Sequence, residues 1–320
     1  MAVQQRSVWI LGAGASKAAY CGMPLTGEFM REALRRIPFS RNRIRGLLKT
    51  LDERYRYKDP TDVDVEELLT FAAYDVDYLD RQGAPVLKDD ALSRQLYHAR
   101  DTLLTVEKLI TGVLFGAQRE CLQSGDRIHD YIVKKVGDND TVVSFNYDLL
   151  VDRALWTAKR ASSDDYDVQF RGSVDAAMGS SDIEQYRRQP QGETGCVPIL
   201  KLHGSLSWLC PVDRAQSEAS ETGHSIFFLP NATDVSMDPD ILWNRFRGLR
   251  PFIVPPTFMK ETNRSPLPKL WRRAHAALQA CHRVVIIGHS LREADCQTRW
   301  LLRTAARGER KARWNYRCKQ

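Results

Sequence analysis

The sequence predicts an α/β fold: a Rossmann-like parallel sheet with helices on both faces and an inserted helical module. Three observations lead to this prediction. The apolar run Val8–Leu11 ends in a glycine turn, Gly12-Ala13-Gly14-Ala15-Ser16, which leads into helix-compatible sequence. Three later apolar runs also end in glycine or small polar residues, as strands of an open α/β sheet do. The long segment between the first two runs has helical periodicity.

Composition excludes several classes of protein. Apolar residues make up 43% and charged residues 27% of the 320, as in a soluble globular protein, and no apolar run is long enough to span a bilayer. The N-terminus lacks the pattern of a secretory signal. The seven cysteines are scattered without a Cys-x-x-Cys pair, which predicts neither a disulfide framework nor a metal site. We therefore expect a cytoplasmic protein that binds neither metal nor membrane.

The net charge of +7 lies at the C-terminal end of the chain. From residue 297 onward there are eight basic residues against Glu309 alone, so the charges of residues 1–296 cancel. This predicts a basic tail, residues 303–320. Two interpretations stay open: a solvated helix face, which is the commoner case, or a contact with nucleic acid or an acidic partner.

The glycine turn is the first candidate for ligand binding. Glycine lets the backbone come close to a pyrophosphate at a helix N-terminus, and Ser16 can cap that helix. A glycine turn that only closes a strand is the alternative interpretation.

Residues 29–135 are predicted to form the inserted helical module. Apolar residues follow helical spacing from Val65 to Leu79 and again from Leu103 to Cys121. The core is then expected to comprise residues 1–28 and 136–302. Pro24 and Thr26, in the loop after the glycine turn, are expected to cover a bound nucleotide.

The later elements follow in order. Thr141–Phe145 is predicted to be a strand, with a helix after Asp148 that continues to about Ala161. Residues 162–196 have no sustained periodicity, which predicts a long loop or insertion. The other predicted elements are one strand over Ile199–Ser205, a strand over Pro251–Pro256, a helix over Leu267–Ala280 and a strand over Arg283–Ile287. Arg313–Cys318 is a poor strand, so the sheet is expected to lack an edge or the natural chain to be longer.

Four strand ends carry the polar residues: Gly-Ala-Gly-Ala-Ser, Asn146-Tyr147-Asp148, His203-Gly204-Ser205 and Gly288-His289-Ser290. Ligands of open parallel sheets bind beyond the carboxyl ends of the strands. The four ends are therefore predicted to face one crevice and to form one ligand site.

These four segments, together with Gly22-Met23-Pro24-Leu25-Thr26, resemble the bacterial sirtuin-like domain from about residue 7 to residue 302. The resemblance implies a fold that binds NAD+, in a branch that includes NAD+-cleaving proteins of anti-phage defence. It implies that Asn146 and His203 are the catalytic pair and that Asp148 faces the nicotinamide carboxamide. The other residues implied to contact the dinucleotide are Gly12, Ala13, Gly14, Ala15, Ser16, Pro24, Thr26, Gly204, Ser205, Gly288, His289, Ser290 and Asp295.

The departures from the sirtuin pattern narrow the expected activity. Sirtuin deacylases have a four-cysteine zinc module after the His-Gly motif, where this chain has only Cys210, and Ser144-Phe145 replace Thr-Gln before the asparagine. The expected activity is an NAD+ glycohydrolase, whose products are nicotinamide and ADP-ribose. An ADP-ribosyltransferase or deacylase, and a non-catalytic NAD+- or ADP-ribose-binding module, are the alternatives.

Control of the activity is expected, because free NAD+ cleavage would harm the cell that makes the protein. We therefore expect a homo-oligomer or a partner protein, for example a nucleic-acid-handling ATPase or a sensor.

Overall fold

The computed structural model describes residues 6–36, 47, 49, 52–53, 56, 59, 61, 63–82, 91–175, 179–181, 195–211, 226–229, 249–254, 265–291, 295–305 and 313–314. By its internal contacts the chain divides into two compact units. The first comprises Met1–Met23, Ala117–Val254 and Glu261–Gln320, and the second comprises Pro24–Gly116 and Pro255–Lys260.

The described residues form ten strands and eight α-helices. The strands are β1 (Ser7–Leu11), β2 (Thr141–Ser144), β3 (Phe170–Asp175), β4 (Gly179–Ser181), β5 (Ile199–Lys201), β6 (Gly204–Pro211), β7 (Ile226–Phe228), β8 (Leu249–Ile253), β9 (Arg283–Ile287) and β10 (Arg313–Trp314). The helices are α1 (Ala13–Ala19), α2 (Phe29–Arg36), α3 (Val65–Arg81), α4 (Ala91–Ser124), α5 (Arg127–Lys135), α6 (Leu150–Thr157), α7 (Leu267–Ala280) and α8 (Cys296–Ala305). Short 3₁₀ helices cover Thr26–Glu28 and Ser163–Tyr166.

The first unit contains a parallel sheet of five strands in the order β10-β9-β1-β2-β5. From β1 the chain adds β2 and then β5 on one side, and later β9 and β10 on the other. Crossovers between parallel strands are right-handed, so the helices of the two halves lie on opposite faces of the sheet. The predicted Rossmann-like α/β class is confirmed, and its topological switch point lies between β1 and β9.

Asp140 fixes the start of the two central strands. Its carboxylate accepts hydrogen bonds from the Ser7 amide (2.6 Å), the Trp9 indole (2.9 Å) and the Gly137 amide (2.8 Å). The turn before β2 is thereby tied to the beginning of β1, and the strands pair Val8 with Thr141. Residues 8–11 of β1 are all buried, as a central strand covered on both faces requires.

A second sheet, in the order β4-β3-β7-β6-β8, belongs to the same unit and combines parallel and antiparallel pairs. Aromatic rings that pack edge-to-face or tilted fill its core: Tyr166, Phe170, Trp208, Phe228 and Phe252. The prediction of a loop over residues 162–196 is therefore wrong for 163–166, 170–175 and 179–181. These strands are too short to show a period, and their partners lie far along the chain. Residues 182–194 are outside the described residues.

The predicted single strand Ile199–Ser205 is two strands. β5 ends at Lys201 in the parallel sheet, and β6 begins at Gly204 in the second sheet. Gly204 has a φ of +86°, and a Cβ there would lie 2.1 Å from the carbonyl oxygen of Phe252. Glycine at this position therefore lets the chain turn from one sheet into the other.

Three smaller expectations are also corrected. The helix after β2 ends at Thr157 instead of near Ala161. The strand predicted over Pro251–Pro256 begins earlier, at Leu249, and Pro255 and Pro256 are outside the described residues. The sheet has an edge strand, because Arg313 and Trp314 pair with β9 in parallel. Most of the predicted basic tail is outside the described residues.

The second unit is helical where it is described. Helices α3 and α4 pack through Val76, Leu79, Leu96 and Ala99, and Arg100 forms an ion pair with Asp80 at 2.7 Å. Asp64 caps α3 by accepting hydrogen bonds from the amides of Glu66 and Glu67. No helix in the described part of the chain is both long and apolar enough to cross a membrane.

Asp126 caps helix α5 and is expected to make stability depend on pH. Its carboxylate accepts from the amides of Ile128 and His129 and lies 2.6 Å from Nδ1 of His129. Burial alone would raise the pKa of Asp126, but the hydrogen bonds and charge of His129 and the amide donors lower it below the ordinary 3.8. The charged cap therefore contributes its full stability above pH 3.8, and the contribution is lost as the pH falls through the lower folded-state pKa.

Asp126→Asn tests this expectation. Because asparagine caps a helix about as well as aspartate, the difference reports the carboxylate charge. Urea unfolding at pH 5 should show a loss of about 1 kcal/mol relative to wild type, and this loss should shrink below pH 3.8. Asp130→Asn, at an exposed carboxylate in the same first turn, should show little difference at either pH. A difference for Asp126→Asn that does not change with pH would contradict the assignment.

Candidate active site

The carboxyl ends of four strands lie side by side in the parallel sheet. Leu11 pairs with Ser144 and with Ile287, and Ser144 pairs with Lys201. The ladders continue one residue further, since Phe145 donates to Leu11, Leu202 to Ser144 and Gly12 to Ile287. The four polar segments therefore follow neighbouring parallel strands at one edge of the sheet, whereas the shared crevice and ligand site stay a prediction.

The glycine turn packs against the end of β9, backbone to backbone. The Gly14 amide donates to the Gly288 carbonyl at 2.8 Å, and the Ala15 amide donates to Gly12 at 2.9 Å. A Cβ on Gly12 would lie 2.7 Å from the Gly288 oxygen, and one on Gly288 would lie 1.9 Å from the Ala15 nitrogen. These glycines are thus required by the contact between the two segments, a reason that the sequence analysis did not foresee.

Asn146, Ser16 and Asp148 form a continuous chain of hydrogen bonds. The Asn146 amide nitrogen donates to the Gly12 carbonyl and to the Ser16 hydroxyl, both at 3.0 Å. Because Ser16 in turn donates to Oδ2 of Asp148 at 2.8 Å, its oxygen accepts from the amide. Both Asn146 donors are therefore engaged, and its carbonyl oxygen is the atom left for a ligand. The side chain is half-buried, whereas Ser16 and Asp148 are buried.

Asp148 has a structural role in this arrangement. Its Oδ1 accepts at 3.2 Å from the amide of Leu150, the first residue of α6. With 4% of its surface exposed, Asp148 holds Ser16 and the helix start.

His203 lies where the chain leaves the parallel sheet, among aromatic rings. Its ring packs edge-to-face on Phe145 with centroids 5.1 Å apart, and the rings of Tyr147 and Trp271 are each 6.4 Å away. His289 contacts the same Phe145 ring, at 4.7 Å, and its Nδ1 accepts from the Leu291 amide. Phe145 thus connects the two histidines, and His203 packs against the residues on both sides of Asn146.

The other predicted residues are placed as follows. Ala13, Gly288 and Ser290 are exposed at the same edge of the sheet, and Ala15 is buried behind the turn. Gly204 and Ser205 belong to the second sheet, and Ser205 is fully buried with its hydroxyl 3.0 Å from that of Ser207. Asp295 precedes α8, beyond residues 292–294, which are not described. Pro24 and Thr26 belong to the second unit.

A buried lysine that the sequence analysis missed supports this edge of the sheet. Lys201 is fully buried, and its ammonium donates to the carbonyl of Asp148 (2.6 Å) and to Oδ2 of Asp152 (3.0 Å). Tyr166 donates to the other Asp152 oxygen at 2.7 Å. Burial, and then the charge of Asp152, raise the pKa of Tyr166 well above its ordinary value, so the phenol stays a donor. A lysine inside an apolar strand was the sequence signal that could have revealed this group.

Tyr147 also anchors the loop around Asn146. Its hydroxyl donates to the carbonyl of Val254, and its own carbonyl accepts from the Leu206 amide. Sequence analysis assigned it no role.

A cavity of about 420 Å³ lies at the opposite edge of the parallel sheet. Its lining includes Ser7, Thr141 and Pro198, at the amino ends of three strands, together with Asp140 and Cys281. None of the predicted site residues lines it, and the Asp140 carboxylate there is already used by β1. Within the described residues, no group of three or more His, Cys, Asp or Glu side chains is placed to hold a metal ion.

Comparisons with known proteins concern the overall architecture. No protein-family model and no curated protein matches the chain. A crystal structure of a Sir2 homolog–NAD complex aligns with 94% of this chain and 75% of that chain, at 13% identity and a TM-score of 0.38. An ADP-ribose complex of a mutant Sir2 homologue aligns with 94% and 78%, at 13% identity and 0.35. A Sir2–p53 peptide–NAD+ structure aligns with 97% and 79%, at 12% identity and 0.36. At these values the function has to be argued from this chain's own residues.

Proposed function

We propose that this chain binds NAD+ at the carboxyl edge of its parallel sheet and hydrolyses it to nicotinamide and ADP-ribose. The observation that carries the proposal is the contact between the glycine turn and Gly288 at the switch point, with Asn146 hydrogen-bonded to that turn. His203 follows β5, the strand next to β2, after which Asn146 lies. Convergent polar groups at a switch point are typical of a ligand site in such sheets.

The proposed reaction requires few catalytic groups from the protein. The bond between the nicotinamide nitrogen and the ribose C1′ breaks, the nicotinamide leaves with the electron pair, and water adds its oxygen to C1′. Because nicotinamide is a good leaving group when attached as a cation, positioning of the ribose and the water is the main requirement. The carbonyl oxygen of Asn146 can accept from a ribose hydroxyl or from that water.

His203 is the proposed general base. An imidazole titrates near neutral pH and can take the proton that the water or a ribose hydroxyl releases. The aromatic rings around His203 fix its orientation and shield it from solvent, since 7% of its surface is exposed.

The glycine turn alone does not supply enough amide donors for the phosphates. The amides of Gly14 and Ala15 already donate to protein carbonyls, so phosphate contacts have to come from other groups of this edge. The exposed hydroxyl of Ser290, beside Gly288, is one such donor. We place the dinucleotide along Ala13, Gly288 and Ser290 on this ground.

Product analysis with single variants tests the proposal. The purified protein is incubated with NAD+, and nicotinamide and ADP-ribose are quantified for wild type, Asn146→Ala and His203→Ala. We expect each variant to lower the rate at least about 100-fold, the lower limit for loss of a general acid–base or positioning group. Asn139→Ala and His98→Ala, at positions outside the proposed site, are the matched controls. Equal rates in all five proteins would contradict the assignment.

The alternatives give distinct outcomes in the same assay. An ADP-ribosyltransferase or deacylase would release nicotinamide in step with modification of an added protein or acyl-lysine peptide. A non-catalytic module would bind ADP-ribose by calorimetry and release no nicotinamide. The non-catalytic module is the second candidate, because Ser16, Asp148 and both Asn146 donors form hydrogen bonds within the protein. A binding module needs these contacts only to hold its shape. A role in anti-phage defence by NAD+ depletion would appear as loss of cellular NAD+ after infection, abolished by His203→Ala.

A further inference from the structure

The packed pair of helices α7 and α8 presents an exposed indole. Leu301 and Leu302 of α8 are buried, whereas Trp300 on the same helix has 57% of its surface exposed. The ring of His275, on α7, stacks on Trp300 with centroids 5.9 Å apart and planes inclined by 27°. The two helices thus display a flat, partly open aromatic platform.

Hydrogen bonds hold this platform in place. The Thr304 hydroxyl donates to the carbonyl of Trp300 at 2.8 Å, so its oxygen accepts from Nε2 of His275 at 3.1 Å. The imidazole is therefore held against the indole before any ligand arrives. A stacking surface that is already ordered loses little conformational entropy when it binds.

The surroundings of the platform are positively charged. Neither α7 nor α8 contains an Asp or Glu, and together they carry Lys269, Arg272, Arg273, Arg299 and Arg303. Lys269 and Arg273 both form ion pairs with Asp167, at 2.8 Å and 3.0 Å.

Two of the three remaining arginines, Arg272 and Arg303, lie one helical turn from the two rings. Arg272 precedes His275 by one helical turn, and Arg303 follows Trp300 by one turn, so each lies on the same helix face as its ring. Both are exposed, and neither forms an ion pair with a carboxylate of the described residues. Exposed cations one helical turn from each of the two stacked rings match a polyanion that carries flat bases.

The chain downstream of α8 continues this charge. Residues 307–319 contain six more basic side chains and one acid, and the charges of residues 1–296 cancel. The excess positive charge of the protein is therefore concentrated in α8 and the residues that follow it, instead of being spread over the whole chain.

We propose that the face formed by Arg272, His275, Trp300 and Arg303 binds single-stranded nucleic acid. A base stacks on the open part of the indole, and Arg272 and Arg303 contact the phosphates. Stacking platforms in a basic groove are how proteins hold single strands without reading their sequence. Because this face involves none of the residues of the proposed NAD+ site, the proposal stands or falls separately from that function.

Fluorescence anisotropy of the full chain with labelled 20-nucleotide oligo(dT) and oligo(rU) tests the proposal. We expect Trp300→Ala to weaken binding about 5- to 150-fold and Trp300→Phe to retain most of it, because a base stacks on the flat ring. Arg272→Ala combined with Arg303→Ala should weaken binding and reduce the slope of log affinity against log salt by about 1.4, the value for two phosphate contacts on a single strand. Thermal unfolding of each variant checks that exposed positions were changed without loss of the fold.

Matched controls separate this face from general charge. Tyr131→Ala removes a ring that is 62% exposed on α5, and Arg81→Ala with Arg100→Ala removes two exposed arginines of the helical unit. Both controls should bind like wild type.

Three results would overturn the proposal. One is the absence of oligonucleotide binding at 50 mM salt. Another is binding that Trp300→Ala leaves unchanged, with a 20-base-pair duplex bound equally well, which would indicate electrostatic attraction by the tail alone. The third is sedimentation in which Trp300→Ala dissociates a dimer while oligonucleotides do not bind, which would make this face a contact between two copies of the chain.

Discussion

Gly288→Ala is expected to destabilise the protein by roughly 3–5 kcal/mol, or to prevent folding, because two costs add. The residue has a φ of +65°, which an alanine adopts only with strain. Its Cβ would also lie 1.9 Å from the Ala15 nitrogen and 2.4 Å from the Gly14 carbonyl carbon, which are backbone atoms that cannot rotate away. Urea unfolding monitored by circular dichroism measures the loss.

Two other glycines separate the two costs. Gly125 has a φ of +83° with nothing within 4 Å of a built Cβ, so Gly125→Ala should show the conformational cost alone, about 1 kcal/mol. Gly27 has neither a positive φ nor a close neighbour, and Gly27→Ala should be nearly neutral. If Gly288→Ala costs no more than Gly125→Ala, then the backbone contact at the switch point is not as close as described.

Lys201→Met is expected to cost about 3–5 kcal/mol, the range for breaking a buried ion pair from one side. The substitution leaves Asp152, whose side chain is 1% exposed, without its cation and keeps only the hydrogen bond from Tyr166. It also removes the donor to the Asp148 carbonyl, so the loop that carries Asn146 loses an anchor. Urea unfolding reports the loss of stability, and nicotinamide release reports the loosened loop.

The double variant Lys201→Met/Asp152→Asn is the control for this prediction. It removes the uncompensated charge together with its partner, so it should be more stable than Lys201→Met alone, with a coupling energy of about 1–3 kcal/mol. Strict additivity of the two single changes would contradict the buried pair.

The parallel sheet could be predicted from the sequence because its signals are local. Val8–Leu11 and Thr141–Ser144 are apolar runs closed by glycine or turn residues, and the helix Leu267–Ala280 has its predicted bounds. The side-by-side placement of the strand ends followed from the geometry of parallel sheets. The catalytic roles of Asn146 and His203 stay predictions.

The rest depends on contacts between distant residues. The second sheet pairs strands of three to eight residues from separate segments, and neither a period nor a turn signal identifies such partners. The contacts of Gly12 and Gly14 could not be predicted for the same reason. Gly12 and Gly14 suggest a pyrophosphate when only their own segment is considered, whereas Gly288 is what they touch. Likewise, the hydrogen bond from Ser16 to Asp148 joins segments far apart in the chain, and the contact of Asp148 with the nicotinamide stays a prediction.

The central position of β1 has a consequence for synthesis on the ribosome. This strand is enclosed by β2 on one side and by β9 on the other, and β9 is translated long after β1 and β2. A nascent chain therefore exposes one edge of β1, and the glycine turn lacks its Gly288 contact, until β9 has left the ribosome. Closing so long a loop is slow compared with local helix formation. The edge of the sheet that holds Asn146 and His203 is consequently completed only once β9 has paired with β1.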